Sequence, residues 1–196
     1  DPVKVIITNY EADEEEWLEA ENNPENPEAG FRKIPFSKEL YIERDDFMEE
    51  PVKKFYRMAP GRELRFRNAY FLICTGFDKD ENGKITKIYC TYDPETYGGD
   101  APDGRKSRST LTWVSKKHCV RAKVNVYDHL FKSEDPEGGS EDFMDDLNPN
   151  SLKVLENCAV EPSVKDAKRG DIFQFTRLGY FCIDHYEDEK PVFNRT

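Results

Sequence analysis

The amino-acid sequence predicts an all-β fold, and two observations support that prediction. Apolar residues alternate with polar ones at a period of two, as in residues 120–127, which is typical of strands with one buried face. Gly, Pro, Asn and Asp separate these runs, as at Asn82-Gly83 and Leu178-Gly179, where turns between strands are expected. The 196 residues are sufficient for one large or two small domains with a hydrophobic core.

The predicted elements follow one another along the chain. Val3, Val5 and Ile7 alternate with polar residues and predict a first strand. Further strands are expected at residues 39–43, 63–76, 85–92, 109–115, 120–127, 172–176 and 180–184. Short helical segments are expected at residues 45–50, 141–147 and 163–167. The acidic stretches 11–29 and 133–146 predict surface loops.

The composition argues against several classes of protein. No apolar run approaches the roughly 20 residues that span a bilayer, and the chain begins without a signal peptide. The chain has an odd number of cysteines, five, which are widely spaced, and its three histidines are scattered along the sequence. We therefore expect no membrane association, no disulfide framework and no metal site.

The charges are strongly segregated along the chain. The net charge of −11 argues against general nucleic-acid binding, and no DNA partner is expected. Residues 53–67 nevertheless hold six basic side chains and one acid, and residues 105–123 hold seven basic side chains and no acid. Such stretches can form a local phosphate-binding surface, although solvated strand faces explain the same pattern.

The apparent catalytic and metal motifs do not hold. Residues 78–85 resemble the start of an EF-hand loop, but Tyr89 stands where the bidentate Glu is required, and a hairpin turn at Asn82-Gly83 explains the same letters. No nucleophile, base and orienting group can be argued to lie together. The chain itself is therefore expected to be non-catalytic.

One arrangement of residues remains as a candidate site. In residues 63–68 the strand period buries Leu64 and Phe66 and turns Arg65 and Arg67 to the other face. In residues 171–176 the same period turns Gln174 away from the core, and Arg177 follows at the turn. Arg and Gln side chains read base edges through paired hydrogen bonds, and single-stranded RNA presents such edges.

These residues lie within stretches that match a known family. The chain resembles the C-terminal anticodon-binding part of the bacterial glutaminyl-tRNA synthetases. The matching stretches are 34–50 (IPFSKELYIERDDFMEE), 61–70 (GRELRFRNAY), 90–94 (CTYDP), 101–115 (APDGRKSRSTLTWVS), 126–131 (VYDHLF), 174–175, 179–182 (GYFC) and 190–196 (KPVFNRT). The resemblance implies two tandem antiparallel β-barrels with a few short helices, approximately residues 31–104 and residues 1–30 with 105–196.

The resemblance also implies roles for the basic residues of residues 53–67. The family arginine that recognises the first anticodon base matches Arg65, with Arg67 close by. The position of Arg57 is similar to the reader of the third base, and Lys54 lies beside it. These side chains are therefore expected to bind the anticodon.

Two positions near the C-terminus match the remaining family contacts. Gln174 is similar to the contact to the middle base, and Arg177 to a supporting arginine. The side chains expected to hold backbone phosphates, together with Lys54, are Lys53, Lys116 and Lys117.

The resemblance sets further expectations about the whole protein. The family's nucleotide-binding domain, with its HIGH and KMSKS motifs, has no counterpart in these residues, so the chain is expected to be a part of a longer glutamine–tRNA ligase, a class I synthetase. ATP and Mg²⁺ would act in that missing domain, and no cofactor is expected here. The expected partner is the anticodon loop of glutamine tRNA, and a cytoplasmic monomer is expected.

Two alternatives remain open. The first is the related barrel pair of the non-bacterial type of glutamyl-tRNA synthetase, because barrel residues discriminate poorly between the two. The second is a protein-interaction barrel, which predicts that Arg65 and Arg67 are engaged in intramolecular salt bridges.

Overall fold

A computed structural model of the chain describes residues 1–135 and 142–196, and its architecture confirms the all-β prediction. The described residues divide into two compact units. Unit 1 consists of Asp1–Val120 with Ala159–Lys165, and unit 2 of Arg121–Cys158 with Asp166–Thr196. None of the described helical segments is long or apolar enough to cross a membrane.

Unit 1 is built on a seven-stranded sheet and a hairpin. Its strands are β1 (Pro2–Ile7), β2 (Glu15–Glu21), β3 (Phe31–Ser37), β4 (Glu39–Glu43), β5 (Glu63–Phe66), β6 (Phe71–Lys79), β7 (Ile85–Asp93), β8 (Thr110–Leu111) and β9 (Val114–Ser115). The order in the large sheet is β8-β5-β6-β7-β1-β4-β9, and β2 pairs with β3. The Asn82-Gly83 hairpin prediction is confirmed, because β6 and β7 pair across that turn and Gly83 has a φ of +77°.

Unit 2 is built on one five-stranded sheet. Its strands are β10 (Val120–Tyr127), β11 (Leu152–Val160), β12 (Ile172–Phe175), β13 (Gly179–Glu187) and β14 (Lys190–Arg195), in the order β11-β10-β14-β13-β12. The short strand β12 therefore lies at an edge of the sheet, joined to β13 by a tight hairpin.

The sheets are mixed, which differs from the antiparallel barrels expected. β1 pairs in parallel with β7, β5 with β8, and β10 with β14. In each pair the two strands are far apart in sequence, so a long connection can return the chain in the same direction. The strand pairs β1–β4, β2–β3, β4–β9, β5–β6, β6–β7, β12–β13 and β13–β14 are antiparallel, and the curled sheets are consistent with barrel-like domains.

The division of the chain also differs from the expected one. The expected division places β1 with residues 105–196, but in the structure β1 lies between β7 and β4 in the large sheet. Val3, Val5 and Ile7 are fully buried there, so the apolar face of β1 fixes its place. Residues 105–120 belong to the same unit, because β8 and β9 form the two edges of its sheet.

The core of unit 1 is centred on aromatic rings. The fully buried Phe36 meets Tyr10, Tyr70 and Trp113 edge to face, with ring centroids 5.2–5.3 Å apart. The hydroxyls of Tyr10 and Tyr70 both donate to the carboxylate of Glu16, at 2.9 and 2.6 Å. Burial raises the pKa of each tyrosine. The neutral hydroxyls thus keep one carboxylate at the edge of the core.

A segment from late in the sequence completes unit 1. Val160 and Val164 are buried there, and the guanidinium of Arg32 on β3 donates to both oxygens of Glu161. The two hydrogen bonds are 2.6 and 2.9 Å long, the geometry of a bidentate ion pair. Residues 159–165 are therefore attached to unit 1 by both apolar burial and charge.

Local predictions succeeded to different degrees. Short 3-10 turns occur at Arg44–Asp46, Phe143–Asp146 and Pro162–Val164, near the three predicted helical segments, and residue 141 lies outside the described residues. β2 forms inside the stretch 11–29 that was predicted as a loop, because Leu18 and Ala20 are buried at a period of two. The second predicted loop, 133–146, includes residues 136–141, which lie outside the described part.

Candidate nucleic-acid interface

Arg65 lies in the middle of β5, on the face opposite the core. Its neighbours Leu64 and Phe66 are fully buried, as the strand period predicts. The guanidinium carbon lies 4.3 Å from the ring centroid of Phe71, its cross-strand partner. Nη1 donates to the Thr96 carbonyl at 3.3 Å.

The second terminal nitrogen of Arg65 is unsatisfied. Nη2 is buried and has no hydrogen-bond partner within residues 1–135 and 142–196. Burial lowers the pKa of the guanidinium, since the charge is removed from water. A buried donor without an acceptor costs free energy, so such a group requires an acceptor from outside these residues, for example a water or a ligand.

Arg67 occupies a different environment from Arg65. The sequence pattern places Arg67 on the same strand as Arg65, but β5 ends at Phe66 and Arg67 lies in the following turn. Its side chain is exposed, and the Trp113 indole holds the backbone by donating to the Arg67 carbonyl at 2.9 Å. The structure therefore places one arginine in the sheet and the other at its exposed end.

Arg65 lines a cavity of about 570 Å³ on unit 1. Two exposed aromatic residues line it as well: Phe31 at the start of β3, and Tyr97 after β7. The polar side chains of the wall are Asn68 and three carboxylates, Glu19, Glu21 and Asp100. Glu19 is paired with Lys33 at 2.9 Å. The cavity thus combines donors, acceptors and exposed rings.

Arg57 is held by a buried carboxylate. Its Nη1 donates to Asp46, a side chain with no solvent exposure, whereas 38% of the Arg57 side chain is exposed. The backbone is tied at the same place, because the Met58 amide donates to the Asp46 carbonyl at 2.9 Å. Nη1 of Arg62 donates to the Phe55 and Arg57 carbonyls at 2.6 and 3.0 Å. Asp46 and Arg62 therefore fix the loop that carries Arg57.

Lys53 and Lys54 lie on that loop, beside a cavity of about 210 Å³. Its wall also includes the basic side chains of Arg62 and Arg108. Lys54 has a φ of +73°, a left-handed conformation that non-glycine residues seldom adopt. The loop therefore presents its lysines from a constrained backbone.

The two remaining predicted phosphate ligands are already paired within unit 1. Lys116 Nζ lies 2.5 Å from Glu39, and Lys117 Nζ lies 2.7 Å from Glu15. Glu15 also meets Nε2 of His118 at 2.7 Å. The bonds from Lys117 and then His118 lower the pKa of Glu15 to about 2. A phosphate must compete with these carboxylates for both lysines.

In unit 2, Gln174 and Arg177 lie on the β12–β13 hairpin. Phe175 stacks on Phe181 with centroids 4.6 Å apart, and both Phe173 and Phe175 meet Phe193 edge to face, so this face of β12 is on the core side, as predicted. Gln174 is exposed on the other face, directly opposite Tyr180 of β13. Arg177 sits in the turn with a φ of +71°.

The structure groups some of the predicted residues, whereas Arg65, Arg67, Lys116 and Lys117 lie at separate places on unit 1. Arg57, Lys53 and Lys54 share one loop of unit 1, and Gln174 and Arg177 share one hairpin of unit 2. Neither Arg65 nor Arg67 forms an ion pair in the described part of the chain, which does not match the prediction from a protein-interaction barrel.

Several residues of these surfaces were missed by the sequence analysis. Tyr97 and Phe31 lie between the predicted strands, and Asp46 lies in the predicted helical segment 45–50. An aromatic residue within a turn, at Tyr97-Gly98-Gly99, is the signal that could have been noticed. Within residues 1–135 and 142–196, no group of three or more His, Cys, Asp or Glu side chains could hold a metal ion.

Comparison with known proteins identifies relatives along the whole chain. Two family models, both described as "tRNA synthetases class I (E and Q), anti-codon binding domain", match residues 1–93 and 110–184. The chain is 49% identical to the glutamine–tRNA ligase of Bradyrhizobium diazoefficiens over 196 residues, and 48% identical to that of Clostridioides difficile. It is 46% identical to that of Escherichia coli O157:H7.

These matches cover nearly all of this chain and a minor part of each relative. The alignments include 99–100% of the chain but 35% of the ligase in each case. The chain therefore spans about a third of the length of the curated relatives that it matches.

Proposed function

Because the chain belongs to the family of anticodon-binding domains of class I tRNA synthetases (E and Q), we propose that it binds the anticodon loop of glutamine tRNA. The relatives named above are glutamine–tRNA ligases, which supports glutamine over glutamate as the cognate amino acid. The chain would serve as the part of such a ligase that identifies the tRNA.

The observation that carries this proposal is the environment of Arg65. A guanidinium fixed on a strand, stacked on Phe71 and left with one unsatisfied donor, is arranged to meet an acceptor that the described residues do not supply. Base edges and phosphates offer such acceptors, and arginine contacts them with two parallel hydrogen bonds. An unpaired anticodon base supplies the same geometry.

The other predicted side chains divide into two groups. Arg57, Arg67, Gln174 and Arg177 present donors or an amide that can read splayed bases, with Lys54 beside Arg57. Lys53, Lys116 and Lys117 would bind backbone phosphates, which supply salt-dependent affinity without sequence information. Because Lys116 and Lys117 are paired with carboxylates, Lys53 is expected to contribute more.

The activity of the whole protein belongs to the same proposal. A ligase of which this chain is a part would join glutamine to its tRNA with ATP and Mg²⁺, in a domain outside these residues. In that arrangement the chain contributes tRNA selection and no chemistry. We further propose that such a protein acts as a monomer in the cytoplasm, where charged tRNA is used.

The test is binding of the 196-residue chain to a glutamine-tRNA anticodon stem-loop, measured by fluorescence anisotropy at several salt concentrations. Two further loops carry a changed middle base and the glutamate anticodon. We expect tighter binding of the cognate loop, and we expect Gln174→Ala to reduce the preference at the middle base. Ile172→Ala is the matched control, because Ile172 is exposed on the same face of β12, two residues away.

Three outcomes would contradict the proposal. Equal and steeply salt-dependent binding of all loops would restrict the chain to phosphate contacts. Preference for the glutamate loop would favour the glutamyl type of synthetase. Binding of no loop would remove the assignment of RNA recognition to these residues.

A further inference from the structure

We propose that the rings of Tyr97 and Phe31, which line the 570 Å³ cavity beside Arg65, stack on the unpaired nucleobase bound at that cavity. This inference rests on the proposed function, because it assumes that the chain binds RNA. It adds two base-contacting residues that neither the sequence pattern nor the family resemblance assigned.

The first support is the exposure of the two rings. Phe31 is 64% exposed and Tyr97 48% exposed, although both line a concave site. Large apolar side chains exposed in a concave site are typical of binding surfaces, and aromatic platforms for bases are the common means of holding single-stranded nucleic acid. Both residues therefore present exposed aromatic surface at the same cavity.

The second support is the way Tyr97 is held. Its ring packs against Tyr70 with centroids 5.5 Å apart, and Tyr70 is anchored by its hydrogen bond to Glu16. The Gly98 amide donates to the Ala69 carbonyl, which ties the following turn to the end of β5. Tyr97 is therefore oriented before a ligand arrives, which reduces the entropy that binding must overcome.

The third support is the charge of the wall. Three carboxylates, those of Glu19, Glu21 and Asp100, line the cavity with the single guanidinium of Arg65. Such a wall repels a phosphate but can accept hydrogen bonds from the amino groups of a base. The cavity therefore suits the base of a nucleotide and not its phosphate.

The unsatisfied donor of Arg65 completes the site. Nη2 is shielded from solvent in this structure, so a base edge reaches it only after the adjacent wall shifts. The base would then be stacked on its face and bonded at its edge.

The experiment is a set of double-mutant cycles between the chain and the anticodon stem-loop. Three stem-loops each carry an abasic residue at one anticodon position, and the dissociation constants of wild type and Tyr97→Ala are compared for all of them. With the intact loop we expect Tyr97→Ala to weaken binding about 5- to 150-fold. The effect should disappear with one of the three abasic loops, which identifies the stacked base, and persist with the other two.

Further variants separate stacking from structure. Tyr97→Phe should retain wild-type affinity, because the ring is preserved. Phe31→Ala should lose its effect with the same abasic loop as Tyr97→Ala. Tyr127→Ala is the control, since Tyr127 is 52% exposed and does not line the cavity. For the intact loop and for each abasic loop, Tyr127→Ala should give the same dissociation constant as wild type.

The outcomes distinguish this inference from the proposed function. If wild type binds the intact loop normally, either of two results overturns the stacking inference alone. The first is that Tyr97→Ala and Phe31→Ala do not weaken binding. The second is that they weaken binding equally with all three abasic loops. Absence of binding by the wild-type chain overturns the proposed function and this inference with it.

Discussion

The two units of this chain differ in how much core supports their surfaces. In unit 1 a single cluster of buried residues extends from Val3 to Trp113 and is centred on Phe36. In the described part of unit 2, the buried apolar residues are Ala122, Val124, Phe181, Ile183, Pro191, Val192 and Phe193. Unit 2 nevertheless carries many of the large exposed apolar side chains, among them Tyr127, Ile172 and Tyr180.

The two units therefore hold their candidate residues in different ways. Unit 1 fixes its arginines by internal partners, as Asp46 does for Arg57 and Phe71 for Arg65. Unit 2 presents Gln174 on a short edge strand that is exposed on one face. We expect unit 1 to be the more stable unit, because buried apolar area is the main source of stability in small domains.

The largest expected effect comes from removing one central ring in each unit. Phe36→Ala and Phe193→Ala each delete a fully buried side chain, which typically costs about 3–5 kcal/mol. Unit 1 should stay folded at a lower denaturant midpoint, whereas unit 2, with its small core, should unfold in water. Both tryptophans, Trp17 and Trp113, lie in unit 1, so their fluorescence follows that unit, and amide hydrogen exchange follows unit 2.

The same pair of variants can break the comparison. If tryptophan fluorescence and hydrogen exchange report one common transition for both variants, the units unfold together. Their difference in core size then has no thermodynamic consequence of its own.

The next effect concerns the buried carboxylate of unit 1. Asp46→Asn removes the negative charge that pairs with Arg57 and should cost about 1–2 kcal/mol, less than a fully buried pair because Arg57 is partly exposed. The same variant should weaken RNA binding, since this ion pair helps to hold Arg57 in place. Asp45→Asn is the matched control, because Asp45 is the exposed neighbouring carboxylate. Equal effects of both variants in chemical denaturation and anisotropy would show that no internal anchor operates.

A smaller effect separates phosphate contacts from base contacts. The logarithm of RNA affinity should depend less steeply on salt in Lys53→Ala, by about 0.7 in slope, the contribution of one phosphate on a single strand. Lys116→Ala should change the slope less, because Glu39 already holds Lys116 at 2.5 Å. Gln174→Ala in unit 2 removes no charge and should leave the slope unchanged. If Gln174→Ala changed the salt dependence and Lys53→Ala did not, the phosphate contacts would be assigned to unit 2 and not to the Lys53 loop of unit 1.

The smallest effect is a local pH dependence in unit 1. Lys117 and His118 lower the pKa of Glu15 from about 4.5 to about 2, so the ionised carboxylate is more stable in the folded state than in the unfolded chain. The resulting stabilisation is present above pH 4.5 and is lost as the pH falls toward 2. Acid titration of Trp17 fluorescence checks this, because Trp17 meets the His118 ring at 5.3 Å. Glu15→Gln should remove the transition in that range, and persistence of the transition would assign it to other carboxylates.

The sequence could predict the elements in which local pattern and burial agree. β4 and β10 were predicted at their observed bounds, because their alternation is regular. β14 was missed, since Pro191, Val192 and Phe193 are buried consecutively and show no period of two. The cavity beside Arg65 was also missed, because Phe31 and Arg65 belong to distant strands and only the tertiary fold brings them to one wall. Pairing with distant strands likewise decided the placement of β1 and the parallel neighbours, which local pattern does not encode.

Residues 159–165 have a consequence for the order in which the protein is made. They carry Val160, Val164 and the Glu161 partner of Arg32, and they are synthesised after residues 121–158 of the other unit. As the chain leaves the ribosome, unit 1 lacks this segment until residue 165 has emerged. A gene that stopped at residue 120 would release unit 1 without Val160, Val164 and the ion pair of Arg32, and the surface that this segment covers would favour aggregation. Neither unit can therefore be obtained whole by a single cut through the chain.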